Sequence, residues 1–183
     1  KVTLQSITIS DDGNLDFTFK GTETSNPGIF RPRFWASSLT PGTDKYNAEY
    51  ANDILKQIKQ ICEAYLTDDE VKNVKGGSAA ELFATIVSVL NPSVYSDIEV
   101  SMKIVYKFSE DTLCVIPKYG AFISSETRPR ALKLRAAKDK NGIPYDRVLP
   151  LSEYEVVPDS DEEYDDSFDA SSEDTSDNET SPF

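Results

Sequence analysis

Histidine is absent from all 183 residues. That gap removes the commonest general base and metal ligand available near neutral pH. Two cysteines, Cys62 and Cys114, fit no metal-ligand spacing, and their apolar surroundings predict buried free thiols. Long apolar runs are missing too. The longest, Ala79 to Leu90, is broken by Glu81, Thr85 and Ser88, far short of the roughly 20 apolar residues that span a bilayer. No basic-then-apolar leader opens the chain, so a soluble, cytoplasmic protein is expected. The motifs of nucleophile elbows, phosphate loops and dinucleotide sites are also lacking. The adjacent carboxylates Asp11-Asp12 and Asp68-Asp69 have local explanations in a turn and a helix cap. The expectation is a binding protein, not an enzyme, with no cofactor and no metal.

Basic residues are missing from one long stretch. Residues 151–183 hold thirteen carboxylates and no Lys or Arg. The whole-chain net charge of −13 therefore belongs to this tail, because residues 1–150 carry nineteen basic and nineteen acidic side chains. The predicted organisation is one domain over 1–150 and a disordered acidic C-terminal tail over 151–183. From Asp159 onward the tail spans roughly 28 Å, against a domain radius of about 15 Å. It reaches any basic face of its own domain.

Within the domain, Val2 to Ser10 and Leu15 to Lys20 read as strands joined by the turn Asp11-Asp12-Gly13-Asn14. A phase shift between Leu4 and Ile7 predicts a bulge. A helical subdomain is expected over about 45–91. It begins with the apolar stripe Tyr50, Ile54, Ile58, Ile61, Cys62 and Tyr65, and continues with capping boxes at Thr67-Glu70 and Ser78-Glu81. Gly76-Gly77-Ser78 could hold an anion at a helix N-terminus, but a helix stop followed by a cap accounts for it fully. Ile98 to Phe108 alternates as a strand and returns as Leu113 to Tyr119, and Ala131 to Ala136 reads as a further strand with Leu132 and Leu134 inward. Strands, helices, strands is an α+β order. It is compatible with an OB-like antiparallel β-barrel carrying a helical insertion between strands, or with a different α+β sandwich.

Two segments combine rings and cations. Phe30-Arg31-Pro32-Arg33-Phe34-Trp35 contains the only Trp of the chain. Arg31, Arg33, Phe34 and Trp35 could form a platform on which unpaired bases stack; alternatively the rings are core and the arginines frame them. Between Arg128 and Arg147 seven basic residues face two aspartates, a local net of +5. Arg128, Arg130, Lys133 and Arg135, with Lys103, Lys107 and Lys118 from the preceding hairpin, are the candidates for following a phosphate backbone. A solvated surface would have the same composition.

The tail ends in Ser181-Pro182-Phe183 after the acidic Asp177-Asn178-Glu179. In this it resembles the tails of bacterial single-stranded DNA-binding proteins and their phage counterparts, with Pro182 and Phe183 matching position for position. The resemblance implies single-stranded DNA as ligand, and replication or repair proteins as partners docking Pro182 and Phe183. It also implies a role in phage-type replication or recombination, in the host cytoplasm if the chain is phage-encoded. Thr180-Ser181 is more polar than the usual tip. A solubilising extension would look similar, Ser160 and Ser172 could accept phosphate, and a structural or adaptor protein with the tail as ligand for a basic partner is the competing expectation.

Overall fold

The computed structural model describes residues 1–22, 28–107, 113–150 and 153–154. The turn Asp11-Asp12-Gly13-Asn14 takes its form from Gly13, whose φ of 75° suits a residue without Cβ. It joins β1 (Val2–Ile9) to β2 (Leu15–Gly21). Their antiparallel register shifts between Leu4 and Ser6, the predicted bulge. The bulge lets Leu4 and Ile7 both point inward despite their odd spacing, opposite Leu15, Phe17 and Phe19.

After β2 come β3 (Ile29–Phe30) and β4 (Arg33–Phe34), both paired to β2 and separated by Arg31-Pro32. Pro32 has no amide hydrogen to give a ladder, although its carbonyl accepts from Phe17 N at 3.1 Å. The helices follow: α1 (Ala36–Leu39), α2 (Ala48–Tyr65), α3 (Asp68–Asn73), α4 (Ala79–Val89) and α5 (Pro92–Tyr95). Asn47 caps α2 and Thr67-Glu70 forms the expected capping box of α3. At α4 the Ser78 side chain accepts from Glu81 N, but Glu81 reaches back one residue further, to Gly77 N. Gly76 lies against this helix start so closely that a Cβ would sit 2.3 Å from Leu82 N.

The chain returns through β5 (Glu99–Met102), β6 (Val105–Tyr106), β7 (Cys114–Val115) and β8 (Ile123–Ser124). The architecture is mixed α+β. One six-stranded antiparallel sheet runs β3-β2-β1-β5-β8, with β4 also on β2, and β6–β7 form a separate hairpin. The inward residues of β1 and β2 merge with Ile54, Ile58, Ile61 and Cys62 of α2 and with Phe83 and Ile86 of α4 in a single core. Each such burial stabilises the fold by about 1.5–3 kcal/mol.

Four sequence expectations need correction. The sheet does not close into a barrel: among the described residues the β3/β4 edge and β8 are not paired. Instead α2 reaches the chain before β8, with Gln57 donating to Pro117 O at 3.4 Å, and Gln60 donating to Gly120 O and accepting from Phe122 N. The alternation expected over Ile98 to Phe108 breaks at Lys103, which is buried, while Ile98 is exposed; Phe108 lies outside the described residues. Ala131 to Ala136 is not a strand, and Leu134 is exposed. The backbone groups that a ladder would use are taken by side chains: Lys133 O accepts from Lys103 Nζ and Arg135 N donates to Asp146. Cys62 is buried as expected, but Cys114 is exposed; both are free. No described helix is long and apolar enough to cross a membrane. Apart from residues 153–154, the tail expectations, including Pro182 and Phe183, lie outside the described residues.

Candidate functional site

A groove of about 550 Å³ opens between the β3–β4 edge, the first half of α2 and the β6–β7 hairpin. Arg31, Arg33 and Trp35 stand on one wall, Lys107, Cys114 and Lys118 on the other, and Ile54 and Gln57 contribute from α2.

Trp35 is fixed from two directions. It is the residue before α1, and the next amide, Ala36 N, donates to the buried side chain of Asn14 at 3.1 Å. The β1–β2 turn thus holds the start of the Trp35 segment. The indole is 41% exposed, with Arg33 Cζ 5.5 Å and Lys45 Nζ 5.1 Å from its centroid, both within cation–π range. Arg33 is also bound: its guanidinium donates twice to Asp16, at 2.6 and 2.7 Å, across the β2–β4 register. Arg31, by contrast, is exposed with no carboxylate partner among the described residues.

Phe34 is not part of any accessible platform. It is 4% exposed and packs edge-to-face on Phe17, with ring centroids 5.8 Å apart. Strand alternation places Arg33 and Phe34 on opposite faces, so only one of them can reach solvent. For this ring the core reading holds.

On the far wall Lys118 lies 3.9 Å from Asp53 and 5.4 Å from the Tyr119 ring. Lys107 is exposed. Cys114 supplies an exposed thiol, whereas burial pushes the Cys62 thiol up to about 12, with the charge of Glu63 adding to the effect.

The remaining candidates divide. Lys103 cannot meet a ligand: its ammonium is 3.1 Å from Asp146, both side chains are buried, and it also donates to Lys133 O at 2.7 Å. Arg130 lies 2.5 Å from Glu63, and Arg128 pairs with Asp68 and approaches Glu63 at 3.6 Å. These two arginines clamp the chain after β8 onto α2 and α3. Lys133 is exposed, and Arg135 lies between the Tyr119 and Tyr145 rings, with its Cζ 4.3 and 4.8 Å from their centroids. Arg147 is fully buried and donates to Lys107 O at 2.7 Å.

Sequence reasoning missed Lys45, which reaches the Trp35 ring only through the fold, Tyr145, whose ring meets Arg135 in the same way, and Asn14, whose turn position concealed its bond to the Trp35 segment. Among the described residues no group of three His, Cys, Asp or Glu could hold a metal. No protein-family profile, curated protein or solved structure matches the chain.

Proposed function

We propose that this chain binds single-stranded DNA in the groove beside Trp35, serving phage-type replication or recombination in the cytoplasm. The observation that carries the reading is the half-exposed indole in a groove that bears Arg31 on one wall and Lys107 and Lys118 on the other, while Arg33 beside the indole is held by Asp16. A base stacked on such a ring gains roughly 1–3 kcal/mol regardless of sequence, and cations on both walls neutralise its flanking phosphates.

The strand order supports the reading. β1 lies between β2 and β5, the β3/β4 edge flanks β2, β8 flanks β5, and the helices enter between β4 and β5. We read this order as compatible with a partly open OB-fold, in which oligonucleotides bind the face of the second and third strands and the loop between the last two. The groove borders the corresponding parts, the β3–β4 edge and the β6–β7 hairpin inserted between β5 and β8.

The acidic tail acts as an intramolecular competitor for the groove, and Pro182-Phe183 recruits replication or repair proteins. The test is titration with oligo-dT while following the fluorescence of the lone Trp. Binding should quench Trp35, Trp35→Ala should weaken affinity about 5- to 150-fold, and log K should fall against log salt with slope about −3.5 for five phosphate contacts. A chain ending at residue 154 should bind more tightly at low salt, where screening is weakest. Absence of quenching and of any gel shift at low salt would reject DNA binding and favour an adaptor role.

A further inference from the structure

Tyr119 is 49% exposed and Tyr145 is 41% exposed, yet both rings are held in place by one guanidinium. The geometry points to a second nucleotide-stacking subsite, built from Tyr119, Arg135 and Tyr145, that continues the Trp35 groove and engages longer single strands. This inference rests on the DNA-binding reading and extends it.

Three features carry it. First, Arg135 has no carboxylate partner among the described residues, unlike Arg128 and Arg130 in the same basic stretch, which are neutralised by Glu63 and Asp68. Among the described residues its charge meets only the two ring faces, and a phosphate would complete it.

Second, the stack stands on a rigid buried base. Asp146 accepts from Arg135 N at 2.8 Å and holds Lys103 at 3.1 Å, and Lys103 in turn binds Lys133 O. The backbone around Arg135 is therefore fixed before any ligand arrives, which reduces the ordering cost of binding. Tyr145 adjoins Asp146 in the chain and shares the anchor.

Third, the two sites are joined. Lys118 lines the groove and also lies over the Tyr119 ring. A strand leaving the Trp35 groove past Lys118 meets Tyr119 next. Half-exposed rings flanking an unneutralised guanidinium suit bases and phosphates together, whereas a purely structural staple gains nothing from exposing them.

The experiment compares five-nucleotide and twenty-nucleotide oligo-dT on the full chain. Tyr119→Ala with Tyr145→Ala should leave the short oligonucleotide within about twofold and weaken the long one roughly 5- to 150-fold per lost stack. Tyr119→Phe with Tyr145→Phe, which keeps both ring faces, should bind both lengths as the wild type does and guards against misfolding in the alanine variant. Arg135→Gln retains the backbone bond to Asp146 and should lower the magnitude of the salt slope by about 0.7 on the long oligonucleotide only. Unchanged binding of the long oligonucleotide by the alanine variant, or equal weakening of both lengths, overturns the second subsite. If Trp35→Ala still weakens the short oligonucleotide in that case, the groove itself stands. Failure of the wild type to bind either length overturns both readings.

Discussion

Replacing Asp146 by Ala would leave the Lys103 ammonium in the interior with no counter-charge. The two side chains are 6% and 4% exposed and 3.1 Å apart. Removing one member of so buried a pair costs about 3–5 kcal/mol, because the survivor cannot regain water. Against a domain stability of roughly 5–15 kcal/mol, that is a large fraction. With an m-value of about 2 kcal/mol/M, the urea midpoint should fall by about 2 M. The pair also holds backbone: Asp146 accepts from Arg135 N and Lys103 donates to Lys133 O. The double variant Lys103→Met with Asp146→Leu removes both charges but still leaves those two groups unbonded, at about 1–3 kcal/mol each. It should therefore remain below wild type, and its loss should be smaller than the sum of the single losses. A double-mutant cycle by urea denaturation with circular dichroism measures that difference. A loss under about 1 kcal/mol for Asp146→Ala, unchanged when Lys103 is already Met, would refute the reasoning.

Two other expectations can be checked with the same preparation. Cys114 is exposed on the groove wall while Cys62 is buried and held as a thiol, so a bulky maleimide at pH 8 should label only Cys114 in the native protein. Labelling should block oligo-dT, and bound oligo-dT should slow labelling; modification without any effect on binding would place the strand elsewhere. Tyr65 has a buried hydroxyl with no hydrogen-bond partner among the described residues, burial pushes its acidity down, and its ring packs edge-to-face on Tyr95 at 6.1 Å. Tyr65→Phe keeps the ring and sheds the unsatisfied group, so stability should hold or rise by about 1–3 kcal/mol in urea titration. A loss of more than about 1 kcal/mol would mean that the hydroxyl is bonded after all.

Legibility in the sequence followed the range of the forces at work. The β1–β2 hairpin, its bulge, the α2 stripe and the α3 capping box were readable because their determinants lie within a few residues. Gly13, the Leu4–Ile7 phase shift and Thr67-Glu70 each specify local geometry. The segment Ala131 to Ala136 misled because its alternation was genuine but its backbone partners are side chains from positions 103 and 146. The same buried pair broke the alternation at Lys103, where a charged residue occupies an interior position that no single-strand pattern assigns to it. Trp35 illustrates the intermediate case. Its neighbours Arg31 and Arg33 were visible, but Asn14, which positions it, sits 22 residues from its bonding partner Ala36.

Long-range pairing also decides how much of the cationic surface is usable. Nine Lys and Arg residues were expected at the DNA interface, two in the stacking platform and seven along the backbone, and the fold ties four of the nine into close carboxylate pairs. Lys103 turns inward to Asp146, Arg33 lies on Asp16, and Arg128 and Arg130 share Glu63 and Asp68. The counter-charges for the last two come from α2 and α3, about sixty residues earlier in the chain, so a local sum of +5 could not register them. Arg31, Lys107, Lys133 and Arg135 remain at or near the surface, as does Lys118, which is only loosely paired with Asp53 at 3.9 Å. Nine contacts would give a salt slope of about −6.3 and five about −3.5. The pairs on Glu63 and Asp16 hold the sheet to its helices and β4 to β2, so opening them for phosphate would loosen the groove that the strand is to occupy. The shallower slope is therefore the one consistent with a groove that keeps its shape when it binds.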